Sequence, residues 1–367
     1  MKRTHGRLVH VDTLAEFDRR MAAGASNLSG WRIQGVDLTD RSSDLARCRV
    51  GGATFLGCRL SSDTAASVRA GGALVLPVIP DVPIDTYRSR LYTADELYDT
   101  VSYADSLDAR AYAWSMQDPR DLSASVEEEA TLARSLHDHA VDRALRSWVS
   151  GRRVVGVMGG HALRRGEAGY ADAARLGRLL ARHAVVATGG GPGAMEAANL
   201  GAWLAGRPAA ELDEALSMLA VVPTYRPSID AWAAAAFRVR EHFAGGVESL
   251  AIPTWHYGHE PPNVLATALA KYFRNATREA VLLEVCDAGI VFLPGAAGTV
   301  QEIFQDACEN YYADESSLAP MILVGRTHWT EDLPAWPLLQ ALARERTMAP
   351  MVHLVDTVEE AAALLAA

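Results

Sequence analysis

An α/β fold built on a doubly wound parallel sheet is what the larger, C-terminal part of this 367-residue sequence predicts. Two observations carry the expectation. From Arg153 onward, short apolar runs alternate with helical ones: VVGVM at 154–158, AVVAT at 184–188, SLAIP at 249–253, IVFLP at 290–294, MILVG at 321–325 and MVHLV at 351–355. Brief Val/Ile/Leu runs separated by helices are the pattern of parallel strands covered on both faces. Three of the loops after these strands are also stripped of side chains: MGGH at 158–161, TGGGPGAME at 188–196 and PGAAGTVQE at 294–302. In such sheets ligands bind beyond the carboxyl ends of the strands.

The elements before Arg153 have another texture. In residues 31–60, Val50, Phe55 and Leu60 fall five apart, with Cys48, Ala53 and Cys58 each two residues earlier. Ile33 and Leu38 repeat the step after Trp31 and Val36. A period of five fits neither helix nor simple strand. The stretch reads as a short β segment resembling a pentapeptide repeat, or as a few irregular strands. Residues 72–92 hold too many prolines for a regular helix and predict a strand and an extended loop; 94–107 and 126–149 predict helices. In the second helix Leu132, Leu136, Ala140, Ala144 and Trp148 recur near helical spacing, with Ser125 and Glu128 as a capping box. His137 and His139, two apart, point in different directions and read as surface or interface residues rather than a metal pair. The expected organisation is an N-terminal domain over 1–125, a connecting helix over 126–150 and an α/β domain over 151–367. Within the last, 171–183 is helical and 209–244 is a mostly helical insertion.

Composition narrows the function classes. The chain is 49% hydrophobic and 22% charged, with no apolar run of the ~18–20 residues that cross a bilayer. The start, MKRTHGRLVHVD, lacks an apolar signal core, so the expected place is the cytoplasm, with no membrane partner. A net charge of −10 and a pI near 5.6 argue against general nucleic-acid binding. Cys48, Cys58, Cys286 and Cys308 form no CxxC or Cys/His cluster and predict free thiols and no metal site. Among 35 basic residues the lysines are Lys2 and Lys271, which restricts lysine chemistry.

Two of the bare loops run straight into helices, whose amino ends offer free N–H groups and partial positive charge. Small residues let a phosphate approach that backbone. Thr299 is expected to cap the last of these helices and donate a hydrogen bond. Gly189, Gly191 and Ala194 satisfy the dinucleotide pattern G-x-G-x-x-A, but after the second strand of the sheet and with no acidic strand end ~20 residues on, so an NAD-dependent oxidoreductase is the weaker reading. No glycine is followed by Lys-Ser or Lys-Thr, which excludes a Walker P-loop.

GGGPGAMEAAN at 189–199 and PGAAGTVQE at 294–302 together resemble the two signatures of the Lonely Guy (LOG) family, Rossmann-like nucleoside 5′-monophosphate phosphoribohydrolases once labelled lysine decarboxylases. The resemblance covers about 153–367; an added N-terminal region is closer in layout to the larger bacterial nucleosidases of that superfamily. Ala296 stands where the family motif has glycine, and Asn275-Ala-Thr-Arg278-Glu279 replaces its Met-His-x-Arg-Lys context. The resemblance implies an enzyme that frees a base and ribose 5-phosphate from an AMP-like nucleotide, without cofactor or metal, as a homodimer or higher assembly. It assigns catalysis to Arg278 and Glu302, which lie 24 residues apart as the family spacing requires. Phosphate and nucleotide contacts are expected from Gly159, Gly160, Gly189, Gly190, Gly191, Met195, Glu196, Asn199, Asn275, Gly295, Ala296, Ala297, Gly298 and Thr299. In WHYGHEPPN, His256, Tyr257, His259, Glu260 and Asn263 are candidates for base or ribose. Lys271, Arg274, Asn275 and Arg278, at i, i+3, i+4 and i+7, are expected on one helix face, with Lys271 read as part of a solvated basic stripe. Three alternatives remain: a nucleotide sensor of the same fold, a pyridoxal-phosphate decarboxylase, which would need Lys271 as its Schiff base, and the NAD-dependent oxidoreductase.

Overall fold

The computed structural model describes residues 8–117, 124–256 and 260–366. They form two compact units. One comprises the described residues up to Arg90 together with Gln117–Ala144; the other comprises Leu91–Met116 and the chain from Leu145 onward. Segment 91–116, counted with the N-terminal region on sequence, therefore clusters with the α/β unit.

The first unit is a ladder of strand–helix rungs. β1 (Val9–Val11), α1 (Leu14–Ala22), β2 (Trp31–Gln34), α2 (Ser42–Ala46), β3 (Thr54–Leu56), α3 (Ser62–Ala70) and β4 (Leu74–Leu76) build a sheet in the order β1-β2-β3-β4, every pair parallel. Val11, Ile33, Phe55 and Val75 stand in one column, in steps of 22, 22 and 20 residues. Gly30, Gly52 and Gly72 take positive φ at the equivalent turn of successive rungs, and their peptides bond to one another at 3.1 and 3.2 Å. This corrects the pentapeptide-like reading. The five-residue step is local: each strand is only three or four residues long with a tight glycine turn beside it, so Val50, Phe55 and Leu60 all turn inward across the bends. The repeat that builds the sheet is more than four times longer. Thr13 and Ser61 accept from the N–H groups of Glu16 and Thr64, which starts α1 and α3. Cys58 is buried and Cys48 packs against the same core.

α6 (Ala124–Val149) buries Ala130, Ala133, His137, Ala140, Val141 and Ala144, while Leu132 is exposed. The inward stripe is thus displaced from the expected one, because alanines permit close approach. His137 is a correction: it is fully buried, with Nδ1 3.2 Å from Asp138 Oδ1, and burial pushes its pKa down. The helix starts ahead of Ser125, so that residue is not its cap.

In the second unit the expected helix over 94–107 is two. α4 (Ala94–Leu97) ends at Tyr98, and α5 (Leu107–Ser115) begins afresh because Asp99 accepts from Leu107 N–H and Ser106 from Ala109 N–H, at 2.6 and 3.3 Å. Then follow β5 (Val154–Met158), α7 (Ala168–Leu180), β6 (Val185–Thr188), α8 (Ala194–Trp203), α9 (Ala209–Ala220), α10 (Ile229–His242), β7 (Ser249–Ala251), β8 (Ala268–Leu269), α11 (Asn275–Glu284), β9 (Ile290–Phe292), α12 (Ala297–Tyr312), β10 (Met321–Val324), α13 (Ala335–Ala343), β11 (Val352–Val355) and α14 (Val358–Ala366). The seven-stranded sheet runs β11-β10-β9-β5-β6-β7-β8, all parallel. The doubly wound α/β class is therefore as expected, and α9 and α10 form the helical insertion. The chain builds outward from β5 through β6, β7 and β8, then returns to the other side of β5 for β9. The strand order reverses there, and it is beside such a switch point that open α/β sheets take ligands. β8, short and at the edge, is covered by Tyr92, whose N–H and C=O exchange bonds with Leu269 at 2.9 and 2.8 Å. Among the described residues no helix is long and apolar enough to cross a membrane.

Candidate functional site

Three loops meet at the switch point. The Gly160 N–H donates to Pro294 O at 3.2 Å, tying the loop after β5 to that after β9; the Ala194 N–H donates to Gly160 O at 3.1 Å, tying in α8. Close approach explains the glycines. A Cβ on Gly159 would lie 2.9 Å from Ala194 Cβ, and one on Gly193, at φ +73°, 2.5 Å from Gly160 O. Gly295 is different: there a Cβ would strike Thr299 Oγ1 at 2.2 Å. Thr299 is buried, its side chain folded over Gly295. α12 begins two residues ahead of it, with Ala296 at the N-cap position and no side-chain cap, so the expected capping by Thr299 is corrected. Gly298 faces open space, and Ala296 and Ala297 are exposed. The first turn of α12 is accordingly open to an incoming anion.

Arg278 is the centre of the arrangement. It is 9% exposed; Nε donates to Ile252 O at 2.8 Å and Nη2 to Gly189 O at 3.2 Å. Its guanidinium lies where a Gly189 side chain would be, 2.6 Å from that Cβ position. Two backbone carbonyls thus fix the planar fork before any ligand arrives. Arg278 Nη1 then sits 3.8 Å from Glu302 Oε1. Two residues 24 apart in sequence, from adjacent helices, are brought together behind the glycine loop. Burial pushes the Glu302 carboxyl up to about 7; Arg278 opposes the shift and Glu279 adds to it.

The other predicted residues divide by role. Met195 packs against Gly189 and Gly191, its Sδ and Cε 2.8 and 2.9 Å from their would-be Cβ atoms. Asn199 and Asn263 are fully buried props of the glycine loop. Asn263 N–H donates to Gly190 O at 2.8 Å and its Nδ2 to Gly191 O at 3.3 Å and Asn199 Oδ1 at 3.1 Å; Thr188 Oγ1 donates to the same Asn199 oxygen at 2.8 Å. Glu196 faces inward: it accepts from Arg165 Nε at 2.9 Å, from Arg165 Nη2 and from the Tyr170 hydroxyl at 2.8 Å. Asn275 Nδ2 donates to Glu279 Oε1 at 2.7 Å, and Gln301 reaches the other Glu279 oxygen at 2.7 Å. His256 is exposed; Tyr257 and His259 lie outside the described residues. Glu260 Oε1 is 3.6 Å from His161 Nδ1.

Lys271 is not on the helix with Arg278. α11 starts at Asn275, so the shared face expected from spacing does not include it. Lys271 is fully buried and paired with Asp108, which also accepts from Trp255 Nε1 at 2.9 Å and the Tyr103 hydroxyl at 2.7 Å. The ammonium belongs to a core ion pair, not to a solvated stripe.

Two neighbours escape the sequence motifs. His328 Nε2 lies 3.0 Å from Gly295 O and 3.3 Å from Gly295 N, so it buttresses the loop before α12 from 33 residues downstream. Asp306, one turn beyond Glu302, is 6% exposed and its Oδ2 lacks a hydrogen-bond partner among the described residues. Burial, reinforced by Glu309, lifts its carboxyl to about 8. The unfolded chain releases this proton near pH 4 and the folded chain near 8, so stability falls as pH rises between them. Asp306→Asn has no such proton. Its melting temperature should match the parent's near pH 4 and exceed it by several degrees near pH 8.5, since each pKa unit is worth about 1.4 kcal/mol. A difference that does not grow with pH would refute the assignment.

Fold and site together define a doubly wound α/β protein with a bare-loop crevice at its switch point, backed by an Arg–Glu pair. No family model matches the sequence, and no curated protein matches it. Among solved structures, the molybdenum cofactor binding protein from the phototrophic bacterium Rippkaea orientalis is similar, at 17% identity over 59% of this chain and 96% of its own, with a TM-score of 0.36. The molybdenum cofactor carrier protein MCP from Chlamydomonas reinhardtii matches at 18% identity over the same shares, TM-score 0.35. Likeness at that level carries no argument about ligand or activity.

Proposed function

We propose that the protein is a phosphoribohydrolase of the Lonely Guy type, cleaving the N-glycosidic bond of a nucleoside 5′-monophosphate. The observation that supports this best is the Arg278–Glu302 pair, 3.8 Å apart, beside the open first turn of α12. The nucleotide phosphate takes the free N–H groups of that turn, where the helix dipole favours negative charge. Glu302, one turn further in, then faces the ribose. As the C1′–N bond lengthens, positive charge develops at C1′ and the base leaves with the bonding electron pair. The Glu302 carboxylate stabilises that charge and takes a proton from the water whose oxygen bonds to C1′; a proton returns to the departing base. A carboxyl near 7 is suited to both halves of this exchange at neutral pH. Arg278, immobilised by two carbonyls, orients Glu302 and keeps part of it ionised despite burial. Products are free base and ribose 5-phosphate. Incubation with each nucleoside monophosphate, followed by chromatography for free base, tests the reading; nucleotide binding without base release from any of them would replace it with a sensor.

A further inference from the structure

A second cavity, of about 340 Å³, opens on the α8 side of the loop after β5. One wall is the glycine loop at Pro192 and Gly193; the other comes from the link between α9 and α10 and the start of α10. That second wall belongs to the helical insertion, which the two glycine signatures do not require.

Its lining has a definite chemistry. Tyr225 is half-buried and offers its ring to the cavity; the fully buried Trp232 ring stands behind it, 6.3 Å away at 72°. Arg226 is exposed, lies 5.6 Å over the Tyr225 ring and has no ion pair among the described residues, so its charge is left at the mouth. The one carboxylate in the lining, Glu196, is neutralised from below by Arg165 and Tyr170 and repels nothing. Arg165 in turn lies 4.7 Å over Trp232, which fixes that ring. α8 begins at this wall with no side-chain cap, adding a partial positive charge. Stacking surface, an available guanidinium and an uncapped helix end select a planar ring carrying negative charge. The volume is within the range of small-molecule sites.

We propose that this cavity is a second ligand site, for an aromatic anion of mononucleotide size, separate from the Arg278–Glu302 crevice. The 158–161 loop lines it at His161 and at the same time bonds to Pro294 through Gly160, so the two sites share one wall. A ligand in the cavity therefore presses on the loop that shapes the crevice.

The test is calorimetric titration of the full chain carrying Glu302→Gln, expected to slow any turnover, with AMP and separately with ribose 5-phosphate. Two AMP per chain are expected. Arg226→Ala or Tyr225→Ala should weaken one of them at least tenfold, Tyr225→Phe should retain it, and ribose 5-phosphate, lacking the ring, should not fill it. Both positions are surface-facing enough to vary without unfolding, and a melting curve checks this. AMP binding that neither Arg226→Ala nor Tyr225→Ala weakens, or no AMP binding at all, overturns the proposal. If AMP is held through Arg226 and Tyr225 while the parent chain releases no base from it, the proposal stands and the hydrolase reading alone falls.

Discussion

Glu302→Gln should slow release of base from a nucleoside monophosphate by ~10²–10⁴, with KM nearly unchanged, and should at the same time stabilise the protein above neutral pH. The two effects have one origin. The carboxyl sits behind the glycine loop, where burial raises its pKa to about 7 and Arg278 only partly offsets this. A carboxyl whose folded pKa exceeds its unfolded one contributes most stability below about pH 4.5 and loses it as pH climbs to about 7. Glutamine keeps the shape and loses that liability, so near pH 8 its melting temperature should rise by several degrees and near pH 4 it should not. KM is spared because the phosphate rests on backbone N–H groups of α12, not on Glu302. If Glu302 merely complements the positive end of its helix, worth about 0.3–1 kcal/mol, the variant would lose a little stability and keep its turnover. kcat and melting temperature at two pH values separate the accounts.

The largest effect on folding should come from Arg165→Met. Arg165 and Glu196 have side chains about 1% exposed, and Arg165 also donates to the Val222 and Trp232 carbonyls at 3.3 and 3.1 Å. Removing the guanidinium leaves Glu196 with the Tyr170 hydroxyl alone and takes one donor from each of two carbonyls of the insertion. Breaking one half of such a buried pair costs roughly 3–5 kcal/mol. Adding Glu196→Leu should recover much of the loss, since paired replacement removes the uncompensated charge. Denaturant midpoints of the single and double variants measure this; a single variant within 1 kcal/mol of the parent would mean that the pair is not what holds the insertion against α8.

The α/β unit was legible because its strands are short, apolar and separated by helices, and its loops are bare where the sheet reverses direction. Arg278 and Glu302 were legible through the spacing of a family motif, but the reason they matter is not in that spacing. Nothing in the sequence says that Gly189 and Ile252 aim carbonyls at Arg278, or that Gly189 lacks a side chain because a guanidinium occupies its place. Glu196 and Thr299 show the converse. Both lie in the right motifs, yet one is taken by Arg165 and the other sits inside the helix it was expected to cap. His328 and Arg165 come from distant segments with no local signal, and only the fold puts them against the loops. The 22-residue rungs are not legible in the sequence because the five-residue step of the bends is the stronger local pattern.

Those rungs bear on how the first unit tolerates change in length. Each strand bonds only to the rungs beside it, so the sheet has no privileged member and no closing contact between first and last. Duplication or loss of one whole 22-residue step would add or remove a rung while every remaining strand kept its partners. A gain or loss of one residue within a strand would instead turn the column of Val11, Ile33, Phe55 and Val75 outward from that point. Variation in length is thus discrete here, counted in rungs.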